Sequence, residues 1–79
     1  GDSGARLNAA DEVATAAFLA GRIPFPAITT LVADVLRERR PRPIRSLSDV
    51  LAADAEARRS AEQRIAAASS PTPTRERSL

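Results

Sequence analysis

Five arginines lie within nine residues of this sequence and form the first candidate for chemistry. They are Arg37, Arg39, Arg40, Arg42 and Arg45. Such a run of cations could bind the phosphates of a nucleic acid or another acidic partner. The alternative is a helix C-terminus, where cations interact favourably with free carbonyl groups, followed by an exposed loop. We favour the helix end, because Asp34 and Glu38 are local ion-pair partners and no aromatic side chain lies within the run to stack on a base.

Two groups of acidic residues are the other candidates, as metal ligands or acid–base pairs. Asp11 and Glu12 are adjacent, and adjacent helical positions point about 100° apart, so these carboxylates do not converge on one ligand. Capping of a helix N-terminus explains both residues. In the second group, Asp49 is predicted to cap a helix, while Asp54 and Glu56 lie on different helix faces. We therefore predict no catalytic, cofactor-binding or metal-binding residue in this chain.

The absent residue types exclude several classes of site. The 79 residues contain no Cys, His, Met, Trp or Tyr, which excludes a disulfide scaffold, a Cys or His metal site and a Cys or His nucleophile. The three glycines are scattered and form no phosphate-binding loop. The net charge is only +2. The isoelectric point of about 11.0 reflects the missing His, Cys, Tyr and Lys, so a nucleic-acid partner is not expected.

The length suits one small domain. No apolar run approaches the roughly 20 residues of a membrane span. The first four residues lack the basic and apolar regions of a signal peptide. We therefore expect a cytoplasmic protein with no membrane partner.

Capping residues and apolar spacing predict three helices, over about 8–20, 26–39 and 46–68. The first helix begins with Asn8 as its N-cap and ends before Gly21, which accepts a left-handed conformation. Pro26 suits the first turn of the second helix, since its missing N–H is not needed there. The third helix begins with a capping box from Ser46 to Asp49. A break near Ala53, with Asp54 as a second cap, stays open.

Apolar residues at helical spacing predict a small core on one side of each helix. Ile23 and Phe25 are expected to fill the corner between the first two helices. The predicted core residues are Ala10, Val13, Ala14, Ala17, Phe18, Ile28, Leu31, Val32, Val35, Leu36, Leu47, Val50, Leu51, Ala57, Ala61 and Ile65.

The fold class that follows is all-α, a small three-helix bundle over residues 1–68. Residues 69–79 contain two prolines and a single apolar side chain. They are expected to form a disordered tail, because they bury too little surface to offset the entropy lost on ordering.

Four blocks in a fixed order resemble a known family. They cover residues 7–14, 17–23, 25–28 and 48–51, the last followed by Asp54, Ala57 and Arg58. Together they resemble the C-terminal helical domain of 1-deoxy-D-xylulose 5-phosphate reductoisomerase. The first block is similar to the family's Asn-Ala-Ala-Asn-Glu-Val motif, with Asp11 in place of the second Asn. Pro26 stands where family members often carry a capping Thr or Ser.

The family's domain usually has another helix before this motif, whereas only six residues precede Leu7 here and the first four are predicted to be a loop. The chain therefore resembles part of an enzyme. The resemblance implies a parent homodimer that converts 1-deoxy-D-xylulose 5-phosphate to 2-C-methyl-D-erythritol 4-phosphate, using NADPH and Mg²⁺ or Mn²⁺, in isoprenoid biosynthesis.

In this family the nucleotide site lies in an N-terminal Rossmann-like domain, and the metal and phosphate sites lie in a central catalytic domain. No residue of either site carries over to this sequence. The resemblance thus implies a structural support domain, inactive alone, whose partners are those two missing domains. The alternative function is a small Arg-rich helical module that binds an acidic partner or nucleic acid.

Overall fold

The computed structural model describes residues 1–69, which form three α-helices and no strand. The helices are α1 (Ser3–Leu19), α2 (Ala27–Arg37) and α3 (Leu47–Ser69). Helix α1 packs against both other helices, and α2 and α3 contact each other less. The all-α, three-helix prediction is confirmed. Apart from Ser69, which ends α3, the tail predicted to be disordered lies outside the described residues.

The predicted start of the first helix at Asn8 is wrong, because α1 already begins at Ser3. The backbone N–H of Arg6 donates to the carbonyl of Asp2 at 3.0 Å, which closes the first turn. The Arg6 side chain reaches α2, where Nη2 donates to the Val35 carbonyl at 2.7 Å. This tertiary contact stabilises a turn that local sequence alone favours weakly, since Gly is a poor helix former.

The early start of α1 also overturns the capping role assigned to Asp11 and Glu12. Helix α1 has no acidic residue in its first turn, and both side chains lie two to three turns further along. Glu12 instead forms an ion pair with Arg58 of α3 at 2.6 Å.

The turn after α1 has the predicted glycine conformation. Gly21 has a φ of 77°. Residues with a side chain adopt this left-handed region only at a cost in free energy. Its N–H donates to the Phe18 carbonyl at 3.0 Å, and the Arg22 N–H donates to the Ala17 carbonyl at 2.8 Å. These two bonds satisfy carbonyl groups at the helix end. Pro26 then directly precedes α2.

The predicted cap of α3 is confirmed. Ser46 Oγ accepts from the N–H of Asp49 at 3.3 Å. The Asp49 carboxylate turns back and accepts from the N–H of Arg45 at 2.8 Å. The helix continues through Ala53 without the break that the sequence left open. Helix α2 ends at Arg37, two residues before its predicted end.

Small residues dominate the core, since seven of the thirteen buried apolar residues in the described chain are alanines. Alanines let helices approach closely but remove little apolar surface from water. The predicted faces of α1 and α2 are largely buried. The buried apolar residues are Ala9, Ala10, Val13, Ala14, Ala17, Ile23, Leu31, Val32, Val35, Ala53, Ala57, Ala61 and Ile65.

Three large residues that were predicted to be buried are exposed. Leu47 is 71% exposed, Leu51 is 60% exposed, and Phe25 is 67% exposed although its ring lies 5.4 Å from that of Phe18. On α3, alanines at every fourth position from Ala53 form the buried side. Leu51 lies two residues before Ala53, about 200° around the helix, and therefore faces water.

Candidate functional site

The arginine-rich segment is the candidate site, and Arg39 is its centre. Arg39 Nη2 lies 2.6 Å from Glu56 Oε1 and 2.8 Å from Asp2 Oδ2. Its Nη1 donates to the Arg40 carbonyl at 2.8 Å, and its Nε donates to Glu56 at 3.1 Å. The Arg39 side chain is only 16% exposed. The exposed helix-end interpretation is therefore wrong for Arg39, which joins the start of α1, the α2–α3 loop and α3.

All three charges of this cluster are held in their ionised forms. The hydrogen bond from Arg39, followed by one from the Arg42 N–H at 3.0 Å, lowers the pKa of Asp2 from 3.8 to about 2. The hydrogen bond from Arg39 also lowers the pKa of Glu56. The bonds to Glu56 and Asp2 raise the pKa of Arg39. The cluster therefore exchanges no proton near neutral pH, which fits a structural role.

The remaining arginines of the segment differ in whether their guanidinium groups have an ion-pair or hydrogen-bond partner. Arg37 forms an ion pair with Asp34 at 2.6 Å. Arg42 is exposed and lies 4.0 Å from Glu56. Within residues 1–69, the guanidinium groups of Arg40 and Arg45 have no hydrogen-bond or ion-pair partner. Four of the five arginines are exposed, but Arg37 is paired with Asp34 and Arg42 lies near Glu56, so the case for a nucleic-acid site is weaker.

The acidic residues singled out in the sequence do not come together around a ligand. Arg58 of α3 binds Glu12 of α1 at 2.6 Å, which links the two helices, and it binds Asp54 within α3 at 2.6 Å. The bond to Asp54, followed by that to Glu12, raises the pKa of Arg58. Asp11 is exposed on α1. Among the described residues, no group of three His, Cys, Asp or Glu side chains is arranged to hold a metal ion.

A buried arginine at the start of α1 escaped the sequence analysis. Arg6 is 1% exposed, and its Nε has no hydrogen-bond partner. Its Nη2 binds the Val35 carbonyl near the end of α2 and lies 3.9 Å from Glu38. Burial acts to raise the pKa of Glu38, but bonds from Ser60 and Arg64 outweigh it, and the pKa lies below its usual value. Nothing in the sequence around Arg6 shows that this arginine, and not one nearer in sequence to the end of α2, would be buried there.

Two surface cavities lie among the described residues. The first, of about 320 Å³, opens over Arg39, Asp2 and Glu56, which already bind one another. The second, of about 440 Å³, lies between α2 and α3 and is lined mainly by apolar groups such as Leu31 and Ile65. Neither of these two cavities brings a nucleophile and a base together among the described residues. None of the helices described is both long and apolar enough to cross a membrane.

Comparison with known proteins identifies similar sequences over most of the chain. The family model of the DXP reductoisomerase C-terminal domain matches residues 1–60. The curated 1-deoxy-D-xylulose 5-phosphate reductoisomerase of Burkholderia lata is 54% identical over 71 residues, which cover 90% of this chain and 18% of that protein. The protein of the same name from Dechloromonas aromatica is 55% identical over 65 residues, 82% of this chain and 16% of the relative.

A third relative of that name, from Nitrosomonas europaea, is 47% identical over 66 residues, 84% of this chain and 16% of the relative. The chain thus spans less than a fifth of the length of these three relatives. No solved structure matches this chain significantly. These matches confirm the resemblance that the four sequence blocks indicated.

Proposed function

Since the chain belongs to the family of DXP reductoisomerase C-terminal domains, we propose that it works as the C-terminal helical domain of such an enzyme. The observation that carries this proposal is the match of the family model to residues 1–60. In the proposal, the whole enzyme converts 1-deoxy-D-xylulose 5-phosphate to 2-C-methyl-D-erythritol 4-phosphate with NADPH, in isoprenoid biosynthesis. The chain itself is a support domain, corresponding to residues 1–68, and is inactive alone.

In the proposal, this chain binds neither NADPH nor the divalent metal ion. Mg²⁺ and Mn²⁺ need oxygen ligands that converge, whereas the carboxylates of Asp2, Glu56, Glu12 and Asp54 each bind an arginine. The proposal therefore places both groups in the other domains of the enzyme. The partners of this chain are the N-terminal and catalytic domains of the same polypeptide, in a cytoplasmic homodimer.

A hybrid enzyme tests this function. The matched segment of the Burkholderia lata relative is replaced with the corresponding residues of this chain, and NADPH oxidation is measured with the sugar phosphate and Mg²⁺. The expected result is turnover by the hybrid, with none from this chain alone or from the relative without its matched segment. A hybrid that folds and yet shows no turnover would contradict the proposal, as would turnover by the isolated chain.

A further inference from the structure

Two buried charged side chains lie close together at the start of the chain. Asp2 is 3% exposed and Arg6 is 1% exposed, and among the described residues they are the two polar or charged residues that are buried. Asp2 directly precedes α1 and Arg6 lies in its first turns, four residues later, so both side chains leave one side of the helix. Burial of a charge is unfavourable unless the group is paired or hydrogen-bonded. The contacts of these two side chains therefore show what holds the start of the chain in place.

Those contacts follow the end of α2 and the loop after it in order. Arg6 Nη2 donates to the Val35 carbonyl at 2.7 Å. Asp2 accepts from Arg39 Nη2 at 2.8 Å and from the backbone N–H of Arg42 at 3.0 Å. The residue number falls from 6 to 2 on one side of these contacts and rises from 35 to 42 on the other. Residues 1–7, which we call the strap, therefore lie alongside residues 35–42 with the opposite chain direction.

The first residue of the strap also fits closely against the loop. A Cβ atom added to Gly1 would lie 3.0 Å from Pro41 Cβ and 3.3 Å from the Arg42 carbonyl oxygen, closer than most Cβ contacts in proteins. The family model that matches residues 1–60 is that of a C-terminal domain. In an enzyme of the relatives' length, the polypeptide before Gly1 therefore leaves the domain from a fixed point beside Pro41.

Local features weaken the strap, so its closed position depends on those distant contacts. The first N–H groups of α1 receive no side-chain capping bond, and Gly4 is a poor helix former. The buried Nε of Arg6 has no hydrogen-bond partner, which is unfavourable for the closed position. The fully buried alanines of α1 begin at Ala9 and Ala10. Residues 1–7 can therefore open while the core beyond them stays folded.

We propose that the strap closes along residues 35–42 and, in the whole enzyme, fixes the direction in which the preceding polypeptide joins this domain. This inference rests on the proposed function. Asp2 and Arg6 hold the strap closed together, so loss of either contact opens residues 1–7 as one unit. With the strap open, these residues become a loose connection, and the domain changes its orientation relative to the polypeptide before it.

Hydrogen exchange in the Burkholderia lata hybrid tests the coupling between Asp2 and Arg6. The amides of residues 6–9 bond to the carbonyls of residues 2–5 and report opening of the strap, whereas the amides of residues 13–17 report opening of the core. We expect Asp2→Asn and Arg6→Gln each to speed exchange at residues 6–9 by about tenfold or more and to leave residues 13–17 unchanged. Asn8→Ala is the matched control, since Asn8 is exposed on α1, and it should speed exchange at neither set.

Small-angle X-ray scattering of the same hybrids tests the effect on the direction of the domain. The hybrid and its Asn8→Ala variant should have equal radii of gyration. The double variant Asp2→Asn with Arg6→Gln should have a larger radius, because an open strap lets the domain move away from the polypeptide before it.

Each outcome supports or overturns the inference. Faster exchange at residue 6 alone is ordinary fraying of a helix end and overturns it, as does an equal effect of Asn8→Ala. Faster exchange at residues 13–17 as well overturns it, because the two charges would then hold the whole core. An unchanged radius of gyration in the double variant also overturns it. The expected exchange and scattering in a hybrid without turnover support the strap and contradict only the proposed function.

Discussion

At the scale of single residues, Arg39 and Arg37 are two arginines in one segment with opposite surroundings. Arg39 joins two carboxylates and is mostly buried, whereas Arg37 is 70% exposed and, within residues 1–69, forms an ion pair only with Asp34, three residues away. We expect Arg39→Gln to lower the free energy of unfolding by about 1–3 kcal/mol, because Asp2 loses its charged partner. Arg37→Gln should change it by less than about 0.5 kcal/mol. Urea unfolding followed by circular dichroism measures both, and equal effects would contradict the structural role of Arg39.

Protonation of Asp2 is expected to account for part of the stability that the protein loses at acid pH. Its pKa falls from 3.8 to about 2 on folding, so its contribution is present above the unfolded pKa and is lost as the pH drops from about 4 towards 2. Wild-type protein should therefore lose more stability over that range than Asp2→Asn, by up to about 2 kcal/mol. Urea unfolding across pH measures this difference. Asp11→Asn is the control, because Asp11 is exposed and has no hydrogen-bond or ion-pair partner within residues 1–69. If Asp2→Asn and the wild-type protein lost the same stability over this pH range, the assignment to Asp2 would be refuted.

Local bonds were predictable from the sequence and distant ones were not. The bond between Ser46 and Asp49 spans three residues and follows from a capping pattern. The bond from Arg39 to Asp2 spans 37 residues. Nothing in the spacing of charges along the chain selects that pair from twelve basic and ten acidic residues. The centre of the candidate site therefore emerged only from the fold.

At the scale of elements, the two ends of α1 differ in how much of their conformation the local sequence determines. The C-terminal end follows from Gly21, and its left-handed φ is observed. The N-terminal end depends on contacts of Arg6 with α2, so local patterns placed it at Asn8 instead of Ser3. On α3, apolar spacing alone could not show whether the side with the leucines or the side with the alanines is buried, because either set fits one face of a helix.

Two glycine substitutions test the two ends of α1 one at a time. Gly21→Ala should destabilise the protein by about 1 kcal/mol, since a Cβ disfavours the observed φ of 77°. Gly4→Ala should stabilise it by up to about 1 kcal/mol, since Gly4 lies within α1 and its added Cβ would meet no atom within 4 Å. Thermal melting followed by circular dichroism measures the signs. Destabilisation by Gly4→Ala would place Gly4 outside a regular helix.

At the scale of the whole molecule, the helices are held by a thin core and by ion pairs between elements. Arg58 links α3 to Glu12 of α1, and Arg64 links α3 to Glu38 after α2. Exposed ion pairs contribute little each, and alanines contribute little apolar burial. The larger buried side chains, such as Leu31, Val35 and Ile65, therefore supply most of the stability of the isolated chain.

Leu31 makes that dependence testable against a matched leucine. A buried Leu→Ala change costs on the order of 2–5 kcal/mol, and a single core of this size rarely supplies more than about 3–5 kcal/mol. We therefore expect Leu31→Ala to unfold the isolated chain, as loss of the helical circular dichroism signal at 25 °C. Leu19→Ala should leave that signal unchanged, because Leu19 is already exposed on α1. If the proposed function holds, contact with the other domains of the hybrid enzyme should keep the Leu31→Ala domain folded, since binding to the native state stabilises it. A reversible transition of the wild-type monomer above about 65 °C, beyond the usual range for such domains, would contradict this dependence, because the thin core would then suffice alone.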